Sequence, residues 1–195
     1  MDIDNWQPLT VEEVSLLLKD ISIPWGIAGG WALDLHIGRQ TRQHKDIDII
    51  VFRHDQQEVY SYLSQDWILY KAYKGTLEIW EGEPLEQVND IWMKKGETSA
   101  WAFQFMFVDQ VEEYWIYRRH PSIRRKASDI FLTTQEPICY LRPEIQLLYK
   151  GGSSVIREKD DLDWQTILPY LTIEEKEWLV SGLKGQFPEG HRWTE

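Results

Sequence analysis

Gly29-Gly30-Trp31-Ala32-Leu33-Asp34, followed closely by Arg42-Gln43-His44-Lys45-Asp46-Ile47-Asp48-Ile49-Ile50-Val51, is the stretch whose reading decides the fold. Residues i and i+2 of a strand share a face, so Asp46 and Asp48 project together, about 7 Å apart by the strand rise. Ile47, Ile49 and Val51 then turn the other way, into a core. Two like charges on one face of a buried strand repel unless something neutralises them. A hard divalent cation does so, and Mg²⁺ characteristically takes one or two carboxylates plus substrate phosphates. A solvated strand end with two unrelated acids satisfies the bare Asp-x-Asp pattern as well. The Gly29-Gly30 pair adds a second element. Glycines entering a helix let backbone approach a phosphate, where the helix N-terminus offers N–H groups and a positive dipole end. Alone, such a pair is a tight strand-to-helix turn. Next to the acid pair it forms a phosphate cradle facing a metal site.

Working outward, Thr10-Val11-Glu12-Glu13 reads as a capping box that opens a helix with Val11, Val14, Leu17 and Leu18 on its apolar stripe. Ile23 to Ala28 reads as a strand or its approach, Trp31 to His36 as a helix stopping near Gly38, Asp46 to Phe52 as a strand, and Asp55 to Gln65 as a helix. From Trp67 to Thr134 strand formers dominate, in Leu77–Trp80, Ile91–Met93, Trp101–Val108 and Tyr114–Tyr117, with turns at Gly75, Gly82-Glu83-Pro84 and Gly96. Helical spacing returns at Arg142–Lys150, Glu158–Leu168 and Ile173–Leu183, the last with Thr172 as cap and Glu175 at N3. The expectation is an α+β protein: residues 1–140 as one domain with a strand-rich insertion, and 141–195 as a helical region packed on it.

The chain has 195 residues and a formal charge of −11. This acidic balance argues against a general nucleic-acid binder, which needs a basic footprint, and suits a cationic or metal-chelated partner. The 43% hydrophobic content supports a sizeable core. One cysteine, Cys139, precludes an intrachain disulfide and reads as a buried small residue. The stretch Met1-Asp2-Ile3-Asp4-Asn5 is acidic, without the apolar region of a secretion signal, and no run reaches about 18 apolar residues. The expected setting is the cytoplasm, with no membrane partner. His36 and His44 lack the spacing of a metal pair, so no zinc site is expected.

The string Gly-Gly-Trp-Ala-Leu-Asp … Gly-Arg-x-Thr-Arg-x-His-x-Asp-Ile-Asp resembles the polymerase-beta-type nucleotidyltransferase superfamily, and within it the aminoglycoside 2″-adenylyltransferase-like family. Asp90-Ile91-Trp92, Trp115 to Arg119, Tyr140 to Glu144, Leu147 to Lys150 and Arg157 to Asp161 extend the likeness over most of the chain. The resemblance implies the nucleotidyltransferase fold, a short mixed sheet flanked by helices with a helical C-terminal part. It implies transfer of a nucleoside monophosphate, AMP, from a Mg²⁺-bound triphosphate, ATP, to a hydroxyl of a small molecule such as an aminoglycoside-like cation. Gly29 and Gly30 would carry the phosphates, Arg42 and Lys150 would contact the nucleotide, and Asp46 and Asp48 would hold Mg²⁺. For Lys150, charge at a helix C-terminus is the alternative. For Arg42, His44 and Lys45, a solvated loop charge is the alternative.

The superfamily usually supplies a third carboxylate from a neighbouring strand, and the matching position here carries Gln104. A glutamine offers an oxygen but no charge and no general base. Asp109, on the opposite face of a regular strand, and Glu78, Glu112 and Glu113 are the other candidate donors, and Glu144 could serve as a base or simply favour its helix dipole. Two further readings therefore stand beside the enzyme: a degenerate nucleotide-binding or regulatory module, and a nucleotidyltransferase toxin, for which Arg118-Arg119 with Arg124-Arg125-Lys126 is the basic patch. Lys159–Asp163 is the expected i,i+4 ion pair, and Trp92 or Trp101 a candidate to stack on a sugar or base.

Overall fold

A computed structural model describes residues 2–194; Met1, part of the acidic N-terminal stretch, and Glu195 lie outside them. Helix α1 (Val11–Leu17) starts where the sequence signals it. Thr10 Oγ1 accepts from the Glu13 amide at 3.2 Å, and the Glu13 carboxylate accepts from the Thr10 amide at 2.8 Å. Strand β1 (Trp25–Ala28) runs directly into α2 (Gly29–Ile37), so the helix begins at the first glycine rather than at Trp31. Gly38 ends α2 in the left-handed conformation at φ 71°, the helix stop expected of glycine. Then follow β2 (Asp48–Phe52), a 3₁₀ turn and α3 (Gln56–Leu63).

The strand-rich middle contributes β3 (Ile68–Tyr73), β4 (Thr76–Ile79), β5 (Asp90–Lys94), β6 (Phe103–Val111), β7 (Tyr114–Ile116), β8 (Arg124–Lys126) and β9 (Phe131–Thr133), with β10 (Cys139–Leu141) next. All join one mixed sheet in the order β4-β3-β5-β6-β2-β1-β10-β9, from which β7 and β8 branch off the end of β6. The β1–β10 and β2–β6 pairs are parallel and the rest antiparallel. The sheet is mixed, as expected, and has ten strands, most of them short. Strands β3, β8, β9 and β10 carried too little alternation to be read from sequence.

Helices α4 (Pro143–Gly151), α5 (Glu158–Ile167) and α6 (Ile173–Gln186) match the expected C-terminal pattern, with a second capping box at Thr172 and Glu175. Helix α4 packs against α2, α5 and α6. The core centres on the sheet face that holds Ile49, Val51, Phe103, Phe105 and Phe107, all buried. Cys139 is half-buried, with Sγ 3.6 Å from Thr133 Oγ1, and so is less enclosed than expected.

Register fixes what the other face carries. Asp48 lies opposite Gln104, Ile50 opposite Met106, and Met106 opposite Asp90. Directly paired residues share a face and the side chains alternate. Asp48, Gln104 and Asp90 therefore all project from the face opposite the phenylalanine core.

Candidate active site

A cavity of about 530 Å³ opens on this face, lined by Gly29, Gly30, Arg42, Asp46, Asp48, Asp90, Gln104 and Lys150 among others. All seven residues expected from the sequence at the metal and nucleotide sites therefore meet in one place. Asp46 precedes the ladder, in the loop before β2, instead of lying within the strand. Its charge still bears on Asp48: burial, and after it the Asp46 carboxylate, raise the Asp48 carboxyl to about 6.

The two glycines are required by their neighbours. Gly29 has φ +66°, and a Cβ there would sit 2.1 Å from Asp48 Oδ2. A Cβ on Gly30 would sit 2.3 Å from His44 Nδ1 and 2.7 Å from an Arg42 guanidinium nitrogen. The Gly29 amide, expected to be open to a phosphate, donates to Gln146 Oε1 at 2.7 Å. Glycine is thus needed at the turn so that the acid and the basic loop can close over it.

The cavity wall at the α4–α5 end is an ion network. Arg42 donates from Nε and a terminal nitrogen to both oxygens of Asp163, each at 2.9 Å. Lys150 Nζ lies 2.8 Å from the Asp163 carboxylate and 3.3 Å from that of Asp160. Arg157 grips Asp160 at 2.8 and 3.0 Å. Burial would raise Asp163, but the Arg42 hydrogen bonds and the Lys150 charge outweigh it and hold the carboxyl below its usual range. The expected Lys159–Asp163 pair does not form. Asp163 is taken by two cations from other elements, a partnership across the fold that helical spacing cannot reveal. Lys159 instead lines the cavity, its ammonium pKa lowered by burial and by Arg157.

His44 closes the network on the other side. Arg42 donates to its Nδ1 at 3.0 Å and its Nε2 faces Asp34 Oδ2 at 2.5 Å. An arginine can only donate, so Nδ1 accepts and the proton is on Nε2. Burial, the main cause, lowers the His44 pKa and matches this neutral form. His44 is therefore a brace between Arg42 and Asp34.

Gln104 occupies the expected third-carboxylate position, its side-chain amide donating to Asp48 Oδ1. The acid missing from β6 has a neighbour one strand out. Asp90, on β5, lines the same cavity, and burial raises its carboxyl while Arg118 and Arg53 partly offset this. The sequence contained the residue within Asp90-Ile91-Trp92, but only the strand order and register bring it to the same face and cavity as Asp48. Of the other candidate donors only Asp109 lines the cavity, and it is already paired. Asp109 is bound by Arg53 at 2.6 Å, Glu78 faces Lys71 at 3.9 Å, and Glu113 faces Lys126 at 3.9 Å. Glu112 sits in the β6–β7 turn at φ 53°. Glu144 is fully buried and salt-bridged to Arg125. Trp101 is buried in a cluster with Trp6, Trp92 and Tyr70, and neither Trp92 nor Trp101 lines the cavity. Of the basic patch, Arg118 and Arg119 line the cavity, and Arg119 donates to the Tyr149 carbonyl at 2.6 Å.

The donor set fits a cation that completes its shell from a substrate. Asp46 and Asp48 supply two hard oxygens, their mutual repulsion is what a divalent ion relieves, and Gln104 can turn its amide oxygen toward the same point. Among the described residues no three His, Cys, Asp or Glu side chains converge into a protein-only cage.

Residues 10–76 match the sequence model of the aminoglycoside-2''-adenylyltransferase family. Two 2''-aminoglycoside nucleotidyltransferases, from Klebsiella pneumoniae and Escherichia coli, are 36% identical over 47 residues, 24% of this chain. The match spans 27% of the length of those relatives. The crystal structure of ANT(2")-Ia in complex with adenylyl-2"-tobramycin superposes with TM-score 0.60 at 14% identity, covering 91% of this chain and 96% of that one. Lincomycin-bound LnuA, a lincosamide antibiotic adenylyltransferase, gives 0.58 at 18%, covering 85% and 100%. The fold is that of a nucleotidyltransferase. The resemblance in sequence to the aminoglycoside 2''-adenylyltransferases is concentrated in the first part of the chain, the part that builds the glycine turn and the acid pair. Among the described residues, no helix of this nucleotidyltransferase fold is long and apolar enough to cross a membrane.

Proposed function

We propose that this protein transfers a nucleoside monophosphate, AMP, from a magnesium-bound triphosphate to a hydroxyl of a small molecule. The observation that carries this reading is that Asp46, Asp48 and Asp90 line the same cavity as Arg42, Lys150, Arg157 and Lys159. That combination of metal-type acids and phosphate-type cations suits phosphoryl chemistry, in which positioning and electrostatic stabilisation supply most of the rate. Arg42 and Lys150 are held by Asp163 in fixed orientations, so they favour the triphosphate without reorganising. Lys159, with no carboxylate partner among the described residues, is the cation free to follow the leaving pyrophosphate. Asp46 and Asp48 would hold Mg²⁺, which supplies charge neutralisation at the phosphate oxygens. Asp90 faces the same space and takes the proton of the attacking hydroxyl. Its raised pKa moves it toward the range in which a carboxylate is an effective base.

Gln104 motivated a degenerate, nucleotide-binding reading. Asp90 weighs against it, because the base lost from β6 is replaced from β5 on the same face. The acid-rich chain and a cavity already filled with paired charges weigh against a tRNA-directed toxin. The deciding experiment is incubation with radiolabelled ATP, Mg²⁺ and a panel of hydroxyl-bearing antibiotics, following transfer of label and release of pyrophosphate. Transfer by the native chain and its loss in Asp48→Asn support the reading. Retention of transfer in that variant refutes the site.

A further inference from the structure

Beyond Asp90 the catalytic face of the sheet continues for two more strands. On β3 the residue paired with Asp90 is Ala72, and on β4 the residue paired with Ala72 is Leu77. One step along, Trp92 pairs with Tyr70 and Tyr70 with Ile79. These side chains share the face of Asp90. The charged residues of the same hairpin, Lys71 and Glu78, pair with each other in register and point to the opposite face. The result is an apolar shelf that begins beside Asp90, at the margin of the cavity, and runs to the sheet edge without itself lining the cavity. Ile79 is 50% exposed, Ala72, Leu77 and Trp92 are half-buried, and Trp6 packs edge-on against Trp92 with ring centroids 5.0 Å apart. No carboxylate of β3, β4 or β5 other than Asp90 lies on this face.

The charges facing the shelf have the same character. Asp90 is flanked electrostatically by Arg118 and Arg53, and Asp109 is neutralised by Arg53. Arg118 has no carboxylate partner within 4.0 Å among the described residues. A polycationic amino sugar needs several unpaired carboxylates around it. Of the two carboxylates that line this end of the cavity, Asp109 is paired with Arg53 and Asp90 alone is unpaired, against a free guanidinium and an exposed apolar surface that an amino sugar would dehydrate for no gain.

We propose that the acceptor is a hydroxyl compound with an apolar face and at most one positive charge, seated with that face on Ala72, Leu77, Ile79 and Trp92 so that its hydroxyl reaches Asp90. The proposal rests on the transferase reading above and narrows its substrate class. It departs from the polycationic acceptor that the family resemblance and the net charge suggest, because the carboxylate that β3, β4 and β5 present on this face is Asp90 alone. The continuity of the shelf with the catalytic face, and the position of Asp90 between the two, tie it to the acceptor.

The test is a titration of the protein loaded with Mg²⁺ and a non-hydrolysable ATP analogue, with two probes at the same ionic strength, followed calorimetrically and by tryptophan fluorescence. One is 4-nitrophenyl β-glucoside, uncharged with an apolar ring; the other is tobramycin, a polycation. The native chain is expected to bind the glucoside at least about tenfold more tightly, the effect of burying one apolar group of that size. Ile79→Asp, at an exposed position that leaves the core intact, is expected to weaken the glucoside and strengthen tobramycin by about fivefold, the upper range for an exposed charge pair. Tighter binding of tobramycin by the native chain, failure of the glucoside to bind, or an unchanged preference in Ile79→Asp overturns the proposal. Binding of the ATP analogue is measured first. Its absence defeats the transferase reading itself, whereas its presence with the wrong acceptor preference defeats only the shelf.

Discussion

At the α4–α5 end of the cavity each buried carboxylate is matched: Asp163 by Arg42 and Lys150, Asp160 by Arg157 and Lys150. At the β2–β5 end Asp48 and Asp90 are enclosed without an ion pair among the described residues, and both carboxyls are raised by burial. The first end is a finished structure, with both carboxylates paired, a net positive charge left over and its geometry locked. The second is an incomplete one, whose acids are held in place by the sheet against their own electrostatic preference. Such unrelieved charge marks the place where a ligand completes the site. The contrast also separates roles that the sequence merged, since Arg42, close to the acids in the chain, turns out to be tied up with helix α5.

Experiments can break that contrast, starting with the largest expected effect. Asp90→Asn removes the base while leaving a hydrogen-bonding side chain, and transfer is expected to fall by about 10² to 10⁴-fold. Nucleotide affinity, measured by calorimetry, should be nearly unchanged. An equal loss in affinity would place Asp90 on the phosphate side. Because Asp90 acts as the anion, the rate of the native chain should fall as pH drops through its raised pKa, and that limb should vanish in the variant.

At the matched end, Asp163→Asn leaves Arg42 and Lys150 without their shared counter-ion. Breaking a buried pair of this kind costs about 3 kcal/mol, read as a lower midpoint in urea. The sign of the pH dependence follows from the direction of the shift. Asp163 is held below its unfolded value of about 3.9, so its contribution is present above that value and is lost as pH falls through the folded one. The variant should therefore lose most stability at neutral pH and converge with the native chain in acid.

The unmatched end behaves in the opposite sense. Asp48 is raised to about 6, so its contribution to stability is complete below about pH 4 and is lost as pH rises through 6. In metal-free buffer the melting temperature should fall across that interval, by the equivalent of up to about 3 kcal/mol. Millimolar Mg²⁺ with ATP should restore it at pH 7. A melting curve indifferent to Mg²⁺ and ATP would remove the metal assignment. The smallest effect is expected for Gln104→Glu. It adds a carboxylate beside Asp48 and should lower metal-free stability by about 1 kcal/mol without raising turnover, because Asp90 already holds the position of the base. A gain in turnover would instead make Gln104 the lesion of a degenerate site.

Much of this was legible in the chain itself. Capping boxes at Thr10 and Thr172, the αL stop at Gly38 and the alternation around Asp48 are local signals, written within one or two turns of the residues they govern. Pairing across the fold was not legible. The helical spacing of Lys159 and Asp163 suggested an ion pair, yet Asp163 binds a residue 121 positions away. The resemblance implied a third carboxylate on the adjacent strand, where Gln104 stands, yet the further acid lining the cavity, Asp90, lies on the strand beyond it. The short β9 and β10 have no alternation long enough to read and exist because β1 offers them an edge.

The sequence by itself determined the glycine turn, the Asp46–Asp48 pair, the helices and the presence of enough strand formers for a sheet, because each depends on neighbours a few residues apart. Tertiary structure alone decided which cations are free, which acid faces the acid pair, and that the surface beyond Asp90 is apolar. Those outcomes depend on strand order and on the parity of register. A one-residue shift in pairing would exchange Glu78 for Ile79 on the catalytic face, and nothing local in the chain distinguishes the two.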